Sequence, residues 1–122
     1  MKHLFVSYQI ALKLKELGFN ESCFGHFIGR DLNFLRINGY KENIELLAPL
    51  YQQVQDWFRD NHNIQVDASS HTVNQNKKWR DYIAYVNGKP MNDARDEEYQ
   101  DYYKALTRAI EEALKLIENG RN

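Results

Sequence analysis

This chain has little cysteine and proline, and it has neither a long apolar run nor an excess of one charge. The single cysteine, Cys23, cannot form a disulfide within the chain, which is typical of a reducing compartment. Lysine and arginine number 16 against 17 aspartates and glutamates, so the basic excess of a nonspecific nucleic-acid binder is missing. No apolar run is long enough to cross a bilayer, and the short run over 1–6 ends at Ser7, before the length of a signal peptide. We therefore expect a cytoplasmic protein that does not enter a membrane.

Signatures of catalysis and of nucleotide binding are also missing. The six glycines are scattered, and none belongs to a P-loop, a dinucleotide-binding G-x-G-x-x-G or a nucleophile elbow. A strand would point Cys23 and His26 to opposite faces, and Cys23 near Phe24 and Phe27 is typical of a small buried side chain. We predict that the protein is not an enzyme and has no catalytic residue, metal site or cofactor. Any such site would have to come from isolated side chains: His3, Cys23, His26, His62, Asp67 and His71.

The chain does contain enough apolar material for a core. Of its 122 residues, 43% are hydrophobic and 13% are aromatic. A chain of this length buries about two thirds of its unfolded surface and needs no disulfide or metal to fold. We predict a single domain over residues 1–122.

Apolar side chains recur at helical spacing in three segments. The first helix is predicted over 8–17, between an N-cap at Ser7 and a left-handed helix end at Gly18. The second is predicted over 49–60, with proline in its first turn. The third is predicted over 96–119, because acidic residues crowd its start, where the helix dipole favours negative charge.

Strands are predicted between these helices. Segments 23–28 and 32–37 flank Gly29-Arg30-Asp31 and predict a hairpin. A short strand is expected over 64–68, and a stronger one over 79–86, whose apolar residues on both faces are typical of a central, doubly covered strand. The predicted fold is α+β, with three helices on a small, mainly antiparallel sheet of about four strands, in the order helix, hairpin, helix, strand pair, helix. The core is expected to gather Val54, Trp57, Phe58, Ile83, Leu106 and Ile110 in one cluster.

A family resemblance is carried by three segments, 8–23, 49–64 and 102–117. The run Tyr51–Arg59 followed by His62-Asn63-Ile64, with Tyr102–Leu106 and Ala109–Ile117, resembles a group of small uncharacterised proteins from gut Bacteroides-type bacteria and their phages and mobile elements. The resemblance spans most of the chain outside the middle hairpin and residues 69–78. That family has no assigned activity and no accepted catalytic residues. The resemblance therefore implies only a setting, namely an accessory protein of a phage or mobile element inside a bacterium.

Cations beside aromatic residues are the candidate ligand-binding positions. In the stretch 77–82, strand aromatics could stack on bases while cations hold phosphates. The predicted strand over 79–86 is apolar on both faces, which instead favours Trp79 and Tyr85 as buried core residues. The candidate ligand-binding residues are Arg30, Lys77, Lys78 and Arg80.

The tyrosines of the third helix are open to two interpretations. Tyr99, Tyr102 and Tyr103 are neighbours on one helix surface. They could line the rim of the core with their hydroxyls in water, or form a partner-binding patch, since tyrosine is favoured at interfaces.

Three functions are compatible with this sequence. The leading hypothesis is a non-catalytic binding protein of a phage or mobile element, which engages a host protein or associates with itself. The alternative is a binder, or sponge, of a small nucleotide or nucleic acid involved in host defence. The third is an enzyme that uses Cys23 or a histidine.

Overall fold

A computed structural model describes residues 2–34, 46–71, 81–91 and 101–120. It confirms the α+β class with three helices. The chain divides into two compact units, Met1–Trp57 and Phe58–Asn122, and the single domain stays a prediction. The elements of the described residues are a 3-10 turn at Lys2–Leu4, α1 at Tyr8–Glu16, β1 at Gly25–Ile28, β2 at Asp31–Phe34, β3 at Leu46–Ala48, α2 at Tyr51–His62, β4 at Val66–His71, β5 at Asp81–Val86, β6 at Lys89–Pro90 and α3 at Tyr102–Glu118.

The strands of the described ranges form two three-stranded antiparallel sheets rather than one sheet of about four strands. Their strand orders are β2-β1-β3 and β4-β5-β6. The prediction of a single sheet was wrong, and the predicted strand number was too low because β3 and β6 have only three and two residues. Strands this short show no alternation that a sequence pattern could reveal.

The start and end of α1 follow the sequence signals. The Ser7 hydroxyl accepts a hydrogen bond from the Ile10 amide at 3.2 Å, which caps the helix as predicted. The chain leaves the helix through Gly18 with a φ of 100°. The buried face of α1 contains Ile10, Ala11 and Leu14, and the helix lies against β3.

The predicted hairpin is confirmed as β1 and β2, which turn through Gly29-Arg30 with Ile28 opposite Asp31. Strand β3 pairs with the other side of β1, so β1 is the central strand of its sheet. The predicted strand began at Cys23, whereas β1 begins at Gly25. Cys23 therefore lies before the strand, and the comparison of its strand face with that of His26 does not apply.

Helix α2 begins at Tyr51, two residues after the predicted start at Pro49. Leu50 is held outside the helix because it forms an isolated antiparallel bridge with Phe5. The Gln53 side chain accepts a hydrogen bond from the Leu50 amide at 3.1 Å, as in the second half of a capping box. The bridge between Leu50 and Phe5 therefore moves the start of α2 beyond Pro49, the position that proline alone would favour.

Strand β5 is the central strand of the second sheet, as predicted. Val66 of β4 and its register partner Val86 are buried on the same face as Ala84. On the opposite face, Ile83 and Tyr85 are only half-buried. The prediction of a strand fully covered on both faces was wrong, and so was the predicted burial of Ile83 and Tyr85. Trp79, which was also predicted to be buried, lies outside the described residues.

Helix α3 begins at Tyr102, where the Asp101 carboxylate accepts a hydrogen bond from the Tyr103 amide at 2.8 Å. The predicted start over 96–100 lies outside the described residues. The helix lies against β4 and β5. No helix in the described ranges combines the length and the apolar character needed to span a bilayer. Small and large side chains alternate on the buried face of α3, which comprises Ala105, Leu106, Ala109, Ile110, Ala113 and Leu114.

Candidate functional site

A pocket of about 330 Å³ lies between α1 and the first sheet. This volume is at the lower end of the range of small-molecule sites, about 300–1,000 Å³. Its lining comes from three elements of the first unit and the hairpin turn: Tyr8, Leu12, Lys15, Phe27, Gly29 and Leu46.

Local structure explains the apolar part of this pocket. Tyr8 is the first residue of α1, directly behind the Ser7 cap, and its ring meets the Phe27 ring edge-on at 5.5 Å. Phe27 of β1 is the register partner of Leu46 of β3, so both side chains stand on the face of the sheet that borders the pocket. Phe27 and Leu46 are buried, while Tyr8 is half-buried.

Arg30 stands beside this pocket. The tight turn places Arg30 so that its guanidinium carbon lies 5.0 Å from the centroid of the Tyr8 ring, a cation–π arrangement. Of the four candidate ligand-binding residues, Arg30 is the one that the structure describes. Lys77, Lys78 and Arg80 lie outside the described residues.

Two cationic side chains lie at the pocket or beside it, namely Lys15 and Arg30. Among the described residues that line it, Lys15 is charged and no carboxylate occurs. The nearest acid along the chain from Arg30 is Asp31, which is the register partner of Ile28. Strand alternation directs Asp31 and Ile28 to the face opposite Phe27, away from the pocket.

The tyrosines of α3 pack within the second unit. The rings of Tyr102 and Tyr103 meet edge-on at 5.0 Å, and Tyr82 of β5 meets Tyr102 at 5.8 Å. Burial raises the pKa of the Tyr102 hydroxyl above its ordinary 10.0, with smaller contributions from Tyr103 and Asp67. Tyr102 and Tyr103 are half-buried, so both the core-rim and the partner-patch interpretations remain open for them. The third member, Tyr99, lies outside the described residues.

Cys23 is poorly placed for nucleophilic chemistry. Its side chain is 1% exposed, and its thiol donates a hydrogen bond to the Glu21 carbonyl at 3.3 Å. A catalytic thiolate is normally partly exposed and in a positive environment. The buried-cysteine interpretation therefore fits better than the catalytic one.

The histidines and acids noted as metal candidates are dispersed in the described part of the chain. His3 lies in the 3-10 turn, His26 on β1 and His62 at the end of α2, while Asp67 and His71 belong to β4. No group of three or more potential ligands gathers among the described residues.

The sequence interpretation missed one surface feature. Phe24, directly before β1, is 53% exposed, and Ile28, the last residue of β1, is 62% exposed. We call these two residues the β1 pair. The sequence did contain a signal for the exposure of Ile28, because Phe27 and Ile28 are adjacent on a strand and cannot both face the core.

Comparison of the chain with family models, with curated proteins and with solved structures finds no match. The resemblance to the Bacteroides-type group therefore stays a prediction. Any function has to be argued from the geometry described above.

Proposed function

We propose that this chain is a non-catalytic binding protein that engages a host protein through the β1 pair. The observation that carries the proposal is the exposure of Phe24 and Ile28 at the two ends of one strand. The resemblance to proteins of phages and mobile elements supports a bacterial host protein as the partner.

Exposed aromatic and aliphatic side chains of this size are favourable anchors for a partner. Burying one such side chain contributes about 1.5–3 kcal/mol. Residues with this character, fully desolvated at the centre of an interface, account for most of the binding energy in many complexes. The β1 pair is thus suited to a partner with a complementary apolar surface.

The strand that follows Phe24 and ends at Ile28 is paired on both sides. Strand β1 is hydrogen-bonded to β2 on one side and to β3 on the other. A binding surface on such a backbone loses little conformational freedom when a partner docks. The first sheet therefore supports recognition without an induced change in the strand.

The buried thiol of Cys23 weakens the cysteine-enzyme alternative. A non-catalytic role agrees with the buried position of Cys23, and the β1 pair is the surface that we propose for binding.

The test is capture with matched variants. Immobilised wild type, the double variant Phe24→Ser/Ile28→Thr and the control Leu12→Gln are incubated with lysate of a Bacteroides-type bacterium. Bound proteins are quantified by mass spectrometry. Leu12 is a suitable control because it is an exposed apolar residue of another element, at 37% exposure on α1.

We expect a specific protein that is enriched on wild type and on Leu12→Gln, and reduced at least about fivefold on the double variant. Equal capture by all three forms, or no specific protein on wild type, would contradict the proposal. The remaining outcome is self-association through the same pair, which analytical ultracentrifugation of the wild type distinguishes from binding to a host protein.

The second candidate function is binding of a small nucleotide. The specific observation in its favour is the position of Arg30 over Tyr8 beside a pocket. Thermal unfolding across a nucleotide panel tests it, because a ligand that binds only the folded state must raise the melting temperature. An unchanged melting temperature at millimolar nucleotide would refute it.

A further inference from the structure

We infer that Asn119-Gly120 is a site of spontaneous deamidation in the folded protein, and that the fold protects the same dipeptide at Asn87-Gly88. Deamidation converts the asparagine amide into an acid and so adds a negative charge. Both dipeptides belong to the second unit, whereas the β1 pair belongs to the first, so the inference does not depend on the host-protein proposal. A further dipeptide of this kind, Asn38-Gly39, lies outside the described residues.

The chemistry of an Asn-Gly dipeptide needs only water. The backbone nitrogen of glycine attacks the asparagine Cγ, and the Cγ–Nδ2 bond breaks to release ammonia, which takes up the proton of the attacking amide. Water then opens the resulting succinimide at either carbonyl and leaves aspartate or isoaspartate. Glycine favours the attack because it has no side chain to shield its own nitrogen. Asparagine is accordingly among the thermolabile residues.

The two described dipeptides are alike in sequence and in exposure. Both asparagines are exposed, and both glycines have a positive φ, 81° at Gly88 and 72° at Gly120. Access of water and the identity of the following residue therefore do not distinguish them. The difference lies in the hydrogen bonds that hold each asparagine.

Asn87 is held by two hydrogen bonds to Gln65. Its Oδ1 accepts a hydrogen bond from the Gln65 amide at 2.8 Å, and its own amide donates to the Gln65 carbonyl at 2.7 Å. These bonds extend the pairing of β4 and β5 beyond the buried register partners Val66 and Val86. The carboxamide must leave Gln65 before its Cγ can turn towards the Gly88 nitrogen. Opening this end of the sheet costs free energy, which lowers the reactive fraction.

Asn119 is held only by the last turn of a helix. It is the C-cap of α3, and its amide donates to the Lys115 carbonyl at 3.0 Å. The Gly120 amide donates to the Ile117 carbonyl at 2.9 Å. In the described part of the chain, the hydrogen bonds of Asn119 join backbone groups and leave its carboxamide able to turn. The last turn of a helix frays at little cost in free energy, and fraying releases the Gly120 nitrogen for attack.

The inference is tested by incubating the whole chain at neutral pH, folded in buffer and unfolded in urea. Aspartate and isoaspartate at each site are quantified by peptide mapping with mass spectrometry. In the folded chain we expect Asn119 to deamidate at least about fivefold faster than Asn87. In urea the two rates should agree within about twofold, because glycine follows both asparagines.

Two variants of Gln65 test the hydrogen bond that holds the carboxamide of Asn87. Gln65→Pro removes the amide that donates to Oδ1, so deamidation at Asn87 should accelerate at least about threefold, with no change at Asn119. The control Gln65→Ala also loses the side-chain bonds to Arg59 and Asp67 but keeps the amide. The rate at Asn87 should therefore stay as in the wild type.

Hydrogen exchange of the wild type gives a measurement that does not require a variant to fold. The Gln65 amide should exchange at least about tenfold more slowly than the Gly120 amide. Equal deamidation of Asn87 and Asn119 in the folded chain, or the same ratio in buffer and in urea, would refute the inference. Equal exchange of the two amides, or a folded Gln65→Pro with an unchanged rate at Asn87, would refute the protective bond. The capture experiment on the β1 pair is unaffected by either result.

Discussion

Gly25 is the position at which a single methyl group should reveal the packing of the first unit. A Cβ built on Gly25 would lie 2.9 Å from Cε2 and 3.1 Å from Cδ2 of Phe5, and 3.2 Å from Cδ1 of Leu32. Comfortable carbon–carbon separations are about 3.5–4.0 Å. Phe5 is itself buried, so its rigid ring has little room to move away.

Two opposing effects set the magnitude of Gly25→Ala. Alanine in a strand is ordinarily favoured over glycine by about 0.5–1 kcal/mol, because glycine loses more freedom on folding. Inserting a methyl group into a packed core costs about 1–3 kcal/mol. We therefore expect a net loss of about 1–2 kcal/mol in the free energy of unfolding.

Urea unfolding of four proteins measures this effect and its cause. The set is wild type, Gly25→Ala, Phe5→Leu and the double variant. Leucine lacks the ring atoms that the new Cβ would meet, so the double variant should be more stable than additivity predicts, by about 0.5 kcal/mol or more. Gly29→Ala is the control, because its cost of about 1 kcal/mol comes from a φ of 62° and should not couple to Phe5.

A stabilising Gly25→Ala would refute the close approach of Phe5. Full additivity with Phe5→Leu would show that the cost arises elsewhere.

The remaining predictions concern an anchor of α2 and a tyrosine of α3. Trp57→Ala should lower the free energy of unfolding by about 3 kcal/mol or more, because the ring is only 5% exposed. Asp60→Ala on the exposed side of the same helix is the control, and a Trp57 effect below about 1 kcal/mol in urea unfolding would contradict its burial. The raised pKa of Tyr102 keeps its hydroxyl neutral in the folded protein at pH values where the unfolded chain has lost that proton. Its contribution to stability is therefore full below pH 10.0 and is lost as the pH rises through the folded pKa. Phenolate absorbance and unfolding against pH should show this, Tyr102→Phe should abolish it, and an identical profile in that variant would refute the assignment.

Local signals in the sequence were sufficient for the elements that are stabilised locally. Ser7 and Gly18 marked the ends of α1 because a cap and a left-handed residue act within one helical turn. The Gly29-Arg30 turn marked the first hairpin for the same reason. Arg30 was identified as a candidate binding residue, but the sequence could not show that Tyr8 and the pocket lie beside it.

Long-range strand pairing determined the features that local sequence signals could not predict. Strand β3 exists because β1 supplies its hydrogen-bond partners, and the bridge between Phe5 and Leu50 moved the start of α2. The six strands that the structure describes divide between two sheets. A three-residue segment has no periodicity of its own, so its partner determines its conformation.

Exposure was likewise settled by tertiary structure. The sequence alone determined the α+β class, the three helices, the first hairpin and the central place of β5. Apolar character by itself predicted burial for Ile83, which is half-buried, and gave no sign that Phe24 would be exposed. Hydrophobic residues are drawn to the interior by solvent, but which face of a strand becomes interior depends on what packs against it. The pocket and the β1 pair are therefore properties of the tertiary structure, because each depends on residues that only folding brings together or leaves uncovered.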